Sequence, residues 1–83
     1  MTLYQRLDMV TPAAVSREDA LYFAGLGNDE AALMTLLEDA SEANLITADM
    51  VTELRSIIRE KMIEPVIEEF IEFELSESLK SAS

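Results

Sequence analysis

Carboxylates are the reactive groups this sequence has in number. It carries 17 acidic side chains against 6 basic ones, no histidine and no cysteine, for a formal charge of −11. Paired carboxylates do general acid–base work when burial drives their pKa values apart inside a pocket. Here the acids fall at the starts of expected helices or on polar faces, where water keeps them ionised. A chain of 83 residues rarely encloses a pocket for them. We therefore expect no enzyme and assign no catalytic residue. Thiolate and imidazole metal sites are excluded outright. Gly25-Leu26-Gly27 lacks the third glycine and the strand–helix setting of a dinucleotide loop. Asn28-Asp29-Glu30 does not complete the ligand set of a calcium loop. No cofactor is expected.

What remains is binding chemistry, concentrated in EKMIEPVIEEFIEFELSES, Glu60 to Ser78. At about 100° per residue, Met62, Ile63, Val66, Ile67, Phe70, Ile71 and Phe73 cover nearly half a helix circumference, wider than the stripe of an ordinary surface helix. That excess suggests a helix covered by its own domain on one side and by another chain on the other. Phe70 and Phe73 are the expected anchors, since aromatic rings bury much area at little entropy cost. Glu60, Glu64, Glu68 and Glu72 recur every fourth residue, with Glu69 beside them. Each like-charged pair costs a few tenths of a kcal/mol, and Lys61 is the one cation among them. Steps of four residues rise about 6 Å along a helix, close to the spacing of phosphates along a strand. A row of carboxylates at that interval would imitate a nucleic-acid backbone. The simpler account is a solvated face that keeps a small protein dissolved, and scarcity of lysine also suits a salt-rich cell.

The elements that must carry this segment are helical. No stretch alternates with period two and no hairpin turn dipeptide occurs. Leu3, Leu7 and Val10 suggest a short first helix, Thr2 to Met9, stopped by Thr11-Pro12. Ser16 is expected to cap a second helix through SRED, with Gly25 and Gly27 at its end. Asn28 caps a third helix whose stripe is Ala32, Leu33, Leu36, Leu37 and Ala40. Thr47 caps a fourth, continued by Met50, Val51, Leu54, Ile57, Ile58 and Met62. Pro65 either breaks the helical pattern or kinks it sharply, and the last helix is expected to end near Leu79. The stretch DALYFAGLGNDEAALMTLLEDASEAN, Asp19 to Asn44, resembles a single ankyrin repeat: a helix ending in small residues, a Gly-Asn turn, and a helix ending in a Leu pair. Its glycine spacing differs by a residue, the Thr-Pro opening is absent, and no second copy occurs where repeat folds need about three. It is read as a generic helical hairpin.

The expectation is an all-α domain over residues 1–80, a small bundle of four to five short helices with a central helical hairpin and a long or Pro-kinked C-terminal helix. Residues 81–83 would be a frayed tail. The expected core is Leu21, Phe23, Leu33, Leu36, Leu37, Val51, Leu54, Ile58, Met62 and Val66. The charge disfavours direct nucleic-acid contact and anionic membranes, and no apolar run approaches the roughly 18 residues of a membrane span. Absence of a signal-peptide core and of disulfides makes a cytoplasmic protein the default. The partner favoured by charge is a basic protein surface, such as that of a nucleic-acid-binding protein. The functional expectation is a non-catalytic binding protein that occupies this surface as a negative-charge mimic, in the manner of virus-encoded inhibitors of nucleic-acid-handling host machinery. Its partner-binding residues would be Glu60, Glu64, Glu68, Glu69, Glu72, Phe70 and Phe73. The alternative is a structural or assembly protein that self-associates through its C-terminal helices, with a homodimer as the simplest closed form.

Overall fold

The computed structural model describes residues 1–82, with side chains through Ser78. Five helices succeed one another: α1 (Leu3–Asp8), α2 (Glu18–Gly25), α3 (Asp29–Glu42), α4 (Ala48–Arg59) and α5 (Pro65–Ala82). No strand occurs among the described residues. The fold is a small all-α bundle. α3 is its spine, packed against α1, α2 and α5, while α4 leans on α1 and α5. The Cα radius of gyration is 11.6 Å, against about 12 Å for a compact chain of this length.

A helix as short as α1 does not persist alone, and the reason it forms here lies in its first turn. Thr2 and Gln5 make a capping box: the Thr2 amide donates to Gln5 Oε1 at 2.9 Å, and the Gln5 amide donates to Thr2 Oγ1 at 3.1 Å. The Leu3 and Tyr4 amides donate to the two oxygens of Asp29, at 2.9 and 3.0 Å. All four donors that a helix start leaves open are thereby satisfied. Asp29 does this from the first turn of α3, so one carboxylate ties two helix starts together.

The link after α1 is held by Arg17. Its guanidinium donates to Asp8 Oδ1 at 2.7 Å and to the carbonyls of Asp8, Thr11, Pro12 and Val15. These five bonds match the five donors of the group. Thr11 Oγ1 donates to the Leu7 carbonyl at 2.7 Å, and Val15 folds inward, 3% exposed. An arginine clamp has no local periodicity, so no pattern in the sequence announces it.

Helix ends obey the expected chemistry in most cases. Asn28 Oδ1 accepts from the Ala31 amide at 3.2 Å and Thr47 Oγ1 from the Met50 amide at 3.2 Å. Gly27 ends α2 with φ 77°, and the Asn28 amide reaches back to the Phe23 carbonyl at 3.0 Å. The same closure at the end of α3 uses Asn44, φ 56°, with the Leu45 amide on the Ala40 carbonyl at 2.9 Å. The expected Ser16 cap is displaced. α2 begins at Glu18 behind Arg17, which makes no side-chain cap, and Ser16 Oγ accepts only from the Glu18 amide at 3.3 Å. Arg17 is already committed to the preceding loop, so the chain turns into the helix one residue later.

Pro65 separates two helices. α4 closes at Glu60, Lys61 takes φ 59°, and Pro65 is the first residue of α5. Proline has no amide to lose at that position and its φ already suits a helix. The Glu64 carbonyl accepts from Ile67 at 3.0 Å and from Glu68 at 3.1 Å. α5 runs to Ala82 instead of ending near Leu79, so 81 and 82 of the expected tail are helical; residue 83 lies outside the described residues.

The core contains Leu7, Leu33, Leu36, Leu37, Met50, Leu54, Ile57 and Ile71, all fully buried, with Ala20, Ala32, Ala40 and Leu75 around them. Four of the expected core residues, Leu33, Leu36, Leu37 and Leu54, are fully buried as expected. Phe23, Val51 and Ile58 are only partly buried. Leu21, Met62 and Val66 are corrected to the surface. Leu21 projects away from the side of α2 that buries Ala20. A core position for Met62 and Val66 requires the α4 stripe to continue through Pro65; the break resets the helical phase, and Ile67, Ile71 and Leu75 turn inward instead.

Candidate functional site

α5 positions the greasy acidic segment, and its two sides differ. Ile67, Ile71 and Leu75 face α3 and α4. At about 100° per residue, Val66 and Phe73 then fall together on the outer side, seven residues apart. They are 63% and 61% exposed. Phe70 stands beside them, half-buried against the core. Glu69 and Glu72, both exposed, edge this apolar strip on one flank.

The expected glutamate ladder is interrupted. Glu60 belongs to the end of α4, where Arg6 Nη2 donates to its Oε2 at 2.8 Å and Ser56 Oγ donates to it at 3.3 Å. Arg6 also donates from Nε to Glu53 at 2.6 Å, which locks α1 onto α4. The bond from Arg6 holds the Glu60 carboxyl below its ordinary pKa, and the bonds from Glu60 and Glu53 raise that of Arg6. Glu64 sits ahead of α5, behind the left-handed turn at Lys61. Only Glu68 and Glu72 lie on α5 itself. Glu68 is half-buried, and Glu72 lies 3.6 Å from Arg55. That pair is half exposed on both sides and contributes little. The four carboxylates of the expected row therefore do not share one helix: Glu60 closes α4, Glu64 precedes α5, and Glu68 and Glu72 lie on α5. Of the seven expected partner-binding residues, the fold assembles Glu69, Glu72, Phe70 and Phe73 on one flank of α5. It leaves Glu68 half-buried, Glu64 at the helix start and Glu60 on another element.

A second outer face escapes sequence reasoning. On α2 and its C-cap, Leu21, Tyr22 and Leu26 are 56%, 64% and 65% exposed, and Gly25 lies among them. The Tyr22 ring stands edge-on to Phe23, centroids 5.3 Å apart at 75°. A signal exists: Ala20 to Asn28 is the longest uncharged run in the chain. It is hidden because apolar residues occupy the whole circumference of α2, so no periodicity says which side is buried.

Titratable groups offer little beyond this. Burial raises the Asp39 pKa, and Asp19 and Glu42 raise it further by repulsion. Burial also raises that of Tyr4, assisted by Asp8 and opposed by Arg17. Among the described residues no group of three His, Cys, Asp or Glu is placed to hold a metal ion. A surface recess of about 430 Å³ between α4 and α5 is open and lined by Ile46, Val51, Arg55 and Leu75 among others. Among the described residues no helix is long and apolar enough to cross a membrane. Comparison with protein-family models, with curated proteins and with solved structures gave no match.

Proposed function

We propose that this chain is a non-catalytic binding protein that lays the outer flank of α5 on a basic surface of a larger protein. The observation that supports the reading is the pairing of exposed Val66 and Phe73 with Glu69 and Glu72, in a chain of charge −11. Long-range attraction would steer the encounter, and burial of Phe73 would hold the complex. A basic surface of this kind commonly holds nucleic acid. Covering it would make the chain an inhibitor by occupancy. With the ladder interrupted, mimicry would rest on the charge of the flank as a whole, without a carboxylate for each phosphate.

The test is capture from a cell lysate with three baits: the native chain, Phe73→Asp, and Glu69→Lys with Glu72→Lys. The reading expects a basic protein held by the native bait at low salt, released at high salt and lost from both variants. Identical proteins on all three baits would sink it.

A further inference from the structure

The outer face of α2 is a different kind of surface, and we infer that it pairs with α2 of a second copy of this chain. A second copy of any chain with charge −11 is repelled. The contact that survives is one that keeps carboxylates apart. Ala20 to Asn28 carries no charge, and Glu18 and Asp19 stand at the N-terminal end of the helix. An antiparallel pairing centred on Tyr22 puts the two Glu18 side chains at opposite ends, about 12 Å apart along the axis. That exceeds the Debye length of about 8 Å at physiological ionic strength. The same pairing on α5, centred between Val66 and Phe73, brings each Glu69 within about one helical turn of its copy. A parallel pairing of α5 sets them side by side. The self-association expected of the C-terminal helices is therefore better served by α2.

Tyr22 is prepared for the role. Its ring is already braced edge-on by Phe23, so little freedom is lost on contact. Gly25, about one turn from Tyr22, presents no side chain and lets the two helices approach closely there. Leu21 also walls a shallow recess of about 310 Å³ between α2 and the start of α1, with Thr2, Gln5 and Asp29 on its far side. A two-fold pairing centred on Tyr22 sets the two Tyr22 rings against each other, and the recess lies beyond Leu21 at the edge of the contact. Two leucines and a tyrosine offer less than the roughly 800 Å² per partner of a stable complex. The dimer should be weak, with a dissociation constant on the order of 10–100 µM.

Sedimentation equilibrium over a concentration series tests this. The native chain should rise from 9.3 kDa toward twice that mass, and added salt should tighten the dimer by screening the two net charges. Tyr22→Asp should stay monomeric to about ten times the native dissociation constant. Gly25→Glu is the second variant: a Cβ there meets nothing within 4 Å, so the monomer keeps its fold. A native chain that is monomeric at about 1 mM would overturn the proposal. So would a dimer unaffected by Gly25→Glu, or one broken by Phe73→Asp and not by Tyr22→Asp. A monomeric chain, or a dimer indifferent to Gly25→Glu, leaves the basic-partner reading standing, whereas a dimer broken by Phe73→Asp would put self-association on the α5 flank that reading needs.

Discussion

The outer faces of α2 and α5 expose similar apolar material and differ in what surrounds it. On α2 and its C-cap, Leu21, Tyr22 and Leu26 lie in a stretch without charge. On α5, Val66 and Phe73 lie beside Glu69 and Glu72. Exposure by itself says only that something could be gained by covering each face. Charge says by what. A carboxylate-edged strip loses hydration without return against a second acidic chain and recovers it against cations. A neutral strip has no such preference and admits a copy of itself. Salt should therefore act with opposite signs on the two contacts.

The comparison breaks most severely if the shared frame fails. Ile71 is fully buried beneath α5. Ile71→Ala should cost about 2–5 kcal/mol through lost transfer energy and a residual cavity, a large share of the stability of so small a domain. Both contacts should fade together as the melting temperature falls, which calorimetry and sedimentation would track in parallel. An Ile71→Ala chain that loses one contact while keeping the other and its melting temperature would show that the faces are not held by one core.

Charge reversal should separate them. Glu69→Lys with Glu72→Lys should weaken binding to the captured basic protein by about 10–100-fold at low salt and leave self-association unchanged or slightly tighter. Titration calorimetry at two salt concentrations gives both numbers, and an unchanged affinity would remove charge from the account. Phe73→Asp sharpens the point at about the same size, near 2 kcal/mol of partner affinity. Because Phe73 is largely exposed, the unfolding midpoint in urea should move by no more than about 0.5 kcal/mol equivalent. A large drop in stability would mean that Phe73 belongs to the core and not to an interface.

Much of the frame is legible in the sequence because it is local. Asn28 and Thr47 announce helix starts, Gly27 a helix end, and the Leu33-Leu36-Leu37 stripe a buried face, all within a few residues of chain. The illegible features are non-local or cross a break. The Asp29 clamp on α1 joins residues 25 and 26 positions apart, and Arg6 reaches Glu53 and Glu60 from another helix. Neither leaves a periodic trace. The glutamate ladder is an extrapolation through Pro65, and a proline at the start of a helix restarts the phase on which such a ladder depends. Of the candidate site, the four residues that converge all lie beyond that break, where the phase is uniform.

The smallest expected effect concerns how firmly α2 is seated. Asp39 on α3 carries a pKa raised above its ordinary 3.8 by burial and by Asp19 on α2 and Glu42. A carboxyl raised on folding adds stability that is complete below its unfolded pKa and is lost as pH climbs through the folded value. At neutral pH the ionised Asp39 therefore works against the fold, and Asp39→Asn should stabilise it by about 0.5 kcal/mol or less, given partial exposure. Glu60 has the opposite sign. Its pKa is lowered by Arg6, so its contribution is present above its unfolded pKa and is lost as pH falls through the folded value. Melting curves of Asp39→Asn and the native chain should differ most near neutrality. They should converge as the pH falls toward 3.8, the ordinary value for this carboxyl. If tightening this seat also strengthens the dimer, the α2 face is limited by the mobility of its own helix. If the dimer is unchanged while the melting temperature rises, the face is already rigid in the monomer, and its weakness is a matter of area alone.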